Sequence, residues 1–407
     1  MRYFLCFVFL FWGWMDDALR AQVTVLDAQV NRLAVNPDIL TGAQQPKLYV
    51  DALAGKRIGV VANHTSLIDG VHLVDFLQSK GINVVAVFAP EHGFRGEAGA
   101  GDPIADGKDA TTGLPVRSLY GKTKKPTPEM LADVDLLLFD MQDVGARFYT
   151  YLSTLHYIME AGAEQNIPVM VLDRPNPNGF YVDGPVLDPK FSSFVGMHPI
   201  AMVHGMTLGE LARMINTEGW LKNGVKCTLS VIPCANYKHS DLYNLPVNPS
   251  PNLGSMEAVY LYPSLCLFEP TSVSIGRGTT HPFECIGHPD LKFRSFSFTP
   301  KSIPGRASSP KHEGKTCYGV NLKEFGGFYF TANQRLYLDW LVESYKELEA
   351  LKPGSFFTNP EFFDKLAGTD RLRKQLVAGA TADEIRSSWE AELTQFKALR
   401  KKYLLYP

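Results

Sequence analysis

The stretch Asn83-Val-Val-Ala-Val-Phe-Ala89, followed at once by Pro90-Glu-His-Gly-Phe-Arg-Gly96, decides the fold. Its apolar, β-branched run reads as a strand covered on both faces, as in parallel sheets flanked by helices. The cluster after it sets Glu91, His92 and Arg95 where such sheets bind ligands, beyond the carboxyl ends of the strands.

The same rhythm of apolar run, polar cluster and amphipathic stretch repeats between residues 56 and 233, the mark of βαβ units. Arg57-Ile-Gly-Val-Val-Ala62 empties into Asn63-His-Thr-Ser66, and a helix predicted over 71–80 stops at Gly81. Residues 96–128, rich in Gly, Asp and Lys, read as an insertion. Asp135-Leu-Leu-Leu-Phe139 then leads into Asp140-Met-Gln-Asp-Val-Gly145 and Arg147-Phe-Tyr-Thr-Tyr151, with a helix predicted over 149–165. Pro168-Val-Met-Val-Leu172 empties into Asp173-Arg-Pro-Asn-Pro-Asn-Gly179. Right-handed crossovers put all four clusters on one edge of one sheet. Asn63, His64, Glu91, Asp140, Asp143, Asp173, Arg174 and Asn176 are therefore expected to converge, although any one cluster alone would read as a cap or a turn.

Further on, Thr207 and Glu210 have capping-box spacing, which leaves His204 just outside the cap as a site candidate. Val247-Asn-Pro-Ser-Pro-Asn-Leu-Gly254, with Asn252, is too proline-rich for helix or central strand and reads as a domain junction facing the cleft. Beyond it a helix is predicted over 260–268, a strand and turn over 272–278, and helices from 359 onward. That mixture predicts an α+β second domain. The expected division is 1–21, 22–250 and 251–407. Residues 295–315 read as loop and carry no assigned role. Trp389, Phe396, Leu399 and Tyr403 recur at helical spacing and are expected in the core.

With 407 residues, 45% hydrophobic content and a formal net charge of -2, the chain can bury a large core and divide into about two domains. No Lys/Arg block is interleaved with aromatics, which speaks against a nucleic-acid partner. Arg2 precedes the apolar run over 3–14, and small-residue cleavage after Ala21 would leave a mature chain beginning Gln22-Val-Thr. This reads as a secretory signal to the periplasm with no lipid insertion after cleavage, since a spanning helix needs roughly 20 apolar residues. An uncleaved anchor is the alternative, and Asp16-Asp17 is atypical before a cleavage site. The remaining Cys227, Cys234, Cys266, Cys285 and Cys317 lack zinc-site spacing. They read either as isolated buried thiols or as one disulfide between Cys227 and Cys234.

Taken in order, Pro-Glu-His-Gly-Phe-Arg-Gly, Asp-Met-Gln-Asp-Val-Gly-x-Arg-Phe-Tyr-Thr-Tyr, Asp-Arg-Pro-Asn-Pro, His-Gly-Met-Thr-x-Gly-Glu and the closing Lys-Tyr-Leu-Leu-Tyr resemble the DUF1343 family, also called the NamZ family. The resemblance runs from about residue 47 to 407. It implies a Rossmann-like parallel-sheet N-terminal domain, a smaller α+β C-terminal domain and a cleft between them. It also implies an exo-acting glycosidase that releases terminal β-linked N-acetylmuramic acid from peptidoglycan-derived glycans or muropeptides, with Glu91 as the catalytic acid.

The chemistry of the residues agrees with that role on one condition. A glycosidase acid must hold its proton near neutrality, well above the roughly 4.3 of a free glutamate. Contact with protonated His92 or with Arg95 would oppose this, so Glu91 has to be shielded from them. A second carboxylate is expected among Asp140, Asp143, Asp173, Glu269 and Glu284, unless the substrate's own acetamido carbonyl attacks. The lactyl carboxylate of muramic acid calls for a bidentate arginine, with Arg95, Arg147, Arg174 and Arg277 as candidates. For each, an ion pair with a neighbouring aspartate is the competing explanation. Tyr149, Tyr151 and Phe94 are candidates for stacking on sugar faces.

Two other function classes compete. A non-catalytic sugar-binding protein of the envelope would use the same cleft. An esterase or amidase finds His64 and Ser66 but no Gly-x-Ser-x-Gly elbow. The first strand lacks Gly-x-Gly-x-x-Gly, so no nicotinamide cofactor is expected. His64, His92 and His204 have no spacing that requires a metal. No residue pattern settles an oligomeric state.

Overall fold

Alternating buried runs and helices build one sheet and bring its strand ends together. The computed structural model describes residues 35–91, 93–95, 106–121 and 123–407. Its main sheet comprises β1 (Ile58–Ala62), β2 (Val84–Ala89), β3 (Gly107–Lys108), β4 (Pro115–Ser118), β5 (Leu136–Asp140), β6 (Val169–Leu172) and β7 (Leu229–Ile232). The spatial order is β7-β6-β5-β1-β2-β4-β3, and every pair is parallel except β3 with β4. The chain therefore steps outward from β1 through β2 to β4, then returns to the opposite side of β1 at β5. That reversal is a topological switch point, the usual position of a ligand crevice in open α/β sheets. The stretch expected to be an insertion supplies β4 and the edge strand β3. His92, residues 96–105 and the segment expected to be a signal lie outside the described residues.

Helices α1 (Leu73–Ser79), α2 (Tyr151–Gln165), α3 (Leu208–Glu218) and α4 (Met256–Leu265) follow the predicted spacing. The Thr207–Glu210 capping box forms at the start of α3, satisfying two otherwise orphaned backbone groups. Helix α2 begins at Tyr151 rather than 149, with Thr150 at its N-cap position. After α4 the chain makes a 3-10 turn over Cys266–Phe268. It then builds an antiparallel sheet of β8 (Cys285–His288), β9 (Phe296–Phe298) and β10 (Cys317–Asn321), with β10 central. Of the strand and turn predicted over 272–278 the turn forms, but the strand is reduced to a loop held by one Ser274–Gly287 bridge. Gly276 and Gly278 take φ of 77° and 81° there, values incompatible with an extended ladder.

Strand periodicity splits the core across the sheet. Val60, Ala62, Val87 and Leu138 join Leu77 of α1 on one face, while Val61, Phe88, Leu137 and Phe139 join Leu155 of α2 on the other. The second cluster continues without a break into the C-terminal half through Leu261, Phe268, Phe330 and Trp389. Trp389, Phe396 and Tyr403 are buried and Leu399 packs against them, as the helical spacing predicts. All five described cysteines are buried and unbonded, so Cys227 and Cys234 form no disulfide. Their burial pushes the Cys227 thiol up to about 11, which keeps it protonated and inert.

Candidate active site

Strand β2 stops at Pro90, which has no N–H for the ladder, and Glu91 follows on a turn closed by Gly93 N donating to Pro90 O at 3.0 Å. Two hydroxyls from separate elements hold the carboxylate. Tyr120, just past β4, donates to Oε1 at 3.1 Å, and Thr150, at the start of α2, donates to Oε2 at 2.8 Å. The Glu91 side chain is half-buried on the wall of a cavity of about 890 Å3, within the range of small-molecule sites.

The opposite wall comes from the C-terminal half. Tyr262, Cys266, Glu269 and Arg277 line it, together with the loop 306–311 and Phe362, Lys365 and Leu366 of the helix Pro360–Ala367. Among the described residues five lining side chains are cationic, namely Lys124, Arg277, Arg306, Lys311 and Lys365, against the two carboxylates of Glu91 and Glu269. An anionic ligand suits that balance. Arg277 grips Glu269 through a single oxygen, its Nε and Nη2 donating to Oε1 at 2.8 and 2.6 Å, and its guanidinium lies 5.0 Å over the Phe283 ring. Burial alone would lower Arg277, but the Glu269 carboxylate outweighs this and holds it above its ordinary value. A narrower recess of about 80 Å3 adjoins the cavity beside Glu91 and Arg277. It is lined by Tyr149, Tyr151 and Asn252.

Most of the other strand-end candidates knit the framework and do not line the cavity. Asp140 is fully buried and receives Nε and Nη2 of Arg174 at 2.5 and 2.9 Å. Burial would lower Arg174, and the Asp140 charge reverses that and raises it. Asp140, not Asp173, is thus the partner of Arg174, which borders a separate hollow of about 470 Å3 beside Tyr243. Asp173 accepts from Thr207 Oγ1 and Tyr406 OH, both at 2.6 Å, and from the Gly209 and Arg174 amides. Burial pushes it up to about 6 even against those donors. The expected Asp140 and Asp173 carboxylates are therefore walled off from the cavity by their own partners.

Asp143 accepts from Gly145 N at 2.7 Å and faces His204 Nε2 at 3.6 Å, and both side chains are buried. Met206 N donates to His204 Nδ1, so the neutral ring carries its hydrogen on Nε2, toward Asp143. Asn176 binds Met206 O and Asn178 N. It sits so close to Gly145 that a Cβ there would fall 2.2 Å from its Oδ1, so only glycine fits. Asn63 folds onto Thr65, and His64 Nε2 meets Asn248 O at 2.8 Å.

The four arginine candidates separate by partner. Arg147 is 1% exposed and donates to four carbonyls, those of Pro185, Ile200, Leu366 and Ala367. Burial lowers it to about 9, and it ties the N-terminal half to the helix Pro360–Ala367. Arg95 is taken up by Asp109 and Asp75, which leaves its charge directed at them. Arg174 is bound to Asp140. Only Arg277 lines the cavity. Tyr149 donates to Pro249 O and packs edge-on against Tyr151 and Tyr262, while Phe94 packs edge-on against His72. Glu284 serves Ser255 and His281 near the start of α4. Among the described residues no group of three His, Cys, Asp or Glu side chains is disposed to hold a metal.

Sequence reading missed Tyr120, Thr150, Lys124, Arg306, Lys311 and Lys365. Thr150 lay inside a quoted motif and Tyr120 in the supposed insertion. The loop 306–311 carried no signal of any kind.

Comparison with known proteins identifies the family. Family models described as exo-β-N-acetylmuramidase NamZ, N-terminal and C-terminal, match residues 58–257 and 260–406. The peptidoglycan β-N-acetylmuramidase NamZ of Bacillus subtilis (strain 168) is 43% identical over 398 residues, covering 92% of this chain and 93% of the relative. A crystal structure of a DUF1343 family protein from Bacteroides fragilis NCTC 9343 is similar with a TM-score of 0.82 and 47% identity, over 91% of this chain and 99% of that one. A second from the same organism has a TM-score of 0.75 and 30% identity, over 91% and 100%. With both profiles matched in order along nearly the whole described chain, this protein belongs to the NamZ, or DUF1343, family.

Proposed function

We propose that this protein is an exo-acting β-N-acetylmuramidase that removes terminal N-acetylmuramic acid from peptidoglycan fragments, with Glu91 as the general acid. The observation that carries the reading is the position of Glu91 on the wall of a cationic cavity, its two oxygens held by Tyr120 and Thr150. The condition set by the sequence is supported on one side, because Arg95 is paired with Asp75 and Asp109. In the reaction the glycosidic C1–O bond breaks, its electron pair goes to the leaving oxygen, and that oxygen takes the Glu91 proton. Water then adds its hydroxyl to C1 and returns a proton to Glu91. Among the described residues Glu269 is the other carboxylate on the cavity wall, and its pairing with Arg277 suits it to orienting more than to attack.

Turnover of a chromogenic β-N-acetylmuramide by the wild-type protein and its loss in Glu91→Gln would support this reading. Binding of the sugar without turnover would favour an envelope sugar-binding protein instead. Export with cleavage after Ala21 belongs to the same reading, since the fragments arise in the cell envelope. Mass measurement of the protein from cells tests it, with Gln22 as the expected first residue and an intact Met1 as the contrary result.

A further inference from the structure

The loop 306–311 brings Lys311 to the cavity wall beside Glu269 and Arg277. Its ammonium is seated on backbone, donating to Phe268 O at 2.8 Å and Val273 O at 3.2 Å, the carbonyls that flank the turn carrying Glu269. Two of its three protons are used in this way. Arg277 spends Nε and Nη2 on one Glu269 oxygen, and its Nη1 has no partner among the described residues. Lys311 and Arg277 contribute two positive charges and Glu269 one negative, so this part of the wall carries a net charge of one positive unit. A part-buried cation with donors left over is costly unless an anion completes it.

We propose that Lys311, together with Nη1 of Arg277, forms the carboxylate site that reads the lactyl group of the substrate and so selects muramic acid over N-acetylglucosamine. Glu269 fixes the Arg277 fork and leaves one edge open. Lys311 adds the second donor from a fixed seat, so the carboxylate meets two charge-assisted hydrogen bonds already in place. A sugar lacking the carboxylate leaves both donors and the surplus charge unanswered, which is how polar sites reject analogues strongly. The identification of the sugar rests on the proposed muramidase activity, whereas the carboxylate site itself rests on this geometry.

The groups facing Lys311 are Glu269, Arg277 and the Cys266 thiol, and neighbouring His312 turns to Ser272 O and the His288 ring. Burial brings Lys311 down to about 8, partly opposed by Glu269. The anion site is therefore charged below that pH and fades above it.

Calorimetric titration with N-acetylmuramic acid and with its methyl ester tests the proposal in the wild-type protein, independently of turnover. The free acid should bind at least about a hundredfold more tightly than the ester, at about tenfold or more for each of the two charge-assisted hydrogen bonds. In Lys311→Met that preference should shrink by about tenfold or more, leaving the share of Arg277, and Lys311→Arg should restore part of it. Wild-type weakening of acid binding above pH 8 should vanish in Lys311→Met. Equal wild-type affinity for acid and ester would overturn the proposal even if turnover is intact. A carboxylate preference with no turnover would instead overturn the catalytic reading and leave this site standing.

Discussion

Glu91 and Asp140 sit at the ends of the two strands that flank β1, and their surroundings are opposite. Asp140 lies at the switch point, where a ligand crevice is expected, yet the crevice is filled by protein. Arg174 neutralises its charge, Ser66 donates to its backbone carbonyl, and its side chain is fully buried. Glu91, on the other side of β1, accepts hydrogen bonds from the Tyr120 and Thr150 hydroxyls and looks across about 890 Å3 at a wall built by another part of the chain. Equivalent positions in the sheet thus divide into a structural knot and a chemical group. What separates them is the partner each finds in three dimensions.

The sharpest break in that comparison comes from exchanging each carboxylate for its amide. Glu91→Gln should lower kcat by about 10²- to 10⁴-fold, the worth of a general acid, with the urea midpoint unchanged. Asp140→Asn should do the reverse, costing roughly 3–5 kcal/mol of stability because Arg174 is left buried and unpaired, while turnover per folded molecule persists. If Asp140→Asn abolished turnover without loss of stability, the division between knot and chemical group would collapse.

Asp173 sharpens the knot side through pH. Its folded value of about 6 exceeds the roughly 3.9 of an unfolded aspartate, so the native state binds its proton more tightly. Stability from this group is fully present below about pH 4 and is lost as pH rises through 6, a change of about 2–3 kcal/mol. Denaturant titrations between pH 4 and 7 should show that fall, and Asp173→Asn should flatten it. The amide keeps an oxygen for the Arg174 and Gly209 amides and can donate to the Thr207 and Tyr406 hydroxyls.

The smallest effect is expected at the support of Glu91. Tyr120→Phe removes one hydroxyl donor and should cost about 0.5–1.5 kcal/mol in the activation barrier, a loss of up to about tenfold in kcat/KM. A loss as large as that of Glu91→Gln would move Tyr120 from support to chemistry.

Much of the fold was legible because the signals are local. The buried runs of β1, β2, β5 and β6, the Thr207–Glu210 capping box and the glycine after α1 each follow from neighbours a few residues apart. The failures are equally physical. The strand expected at the start of 272–278 forms only a single bridge, between Ser274 and Gly287, and the strands β3 and β4 were hidden in a polar stretch. Arg147 looked like a carboxylate reader because an arginine in a motif does not reveal that its partners are four backbone carbonyls, two of them more than 200 residues away.

By itself the sequence determined the parallel sheet, the convergence of its strand ends and the presence of Glu91 at one of them, since side-chain periodicity and chain handedness govern all three. Tertiary structure alone decided which strand end stays open. It also supplied the facing wall, with Arg277, Lys311 and Glu269 brought to within reach of each other's charge from segments that share no motif. Burial and charge pairing are properties of the packed space between elements, and the linear order of residues does not encode them locally.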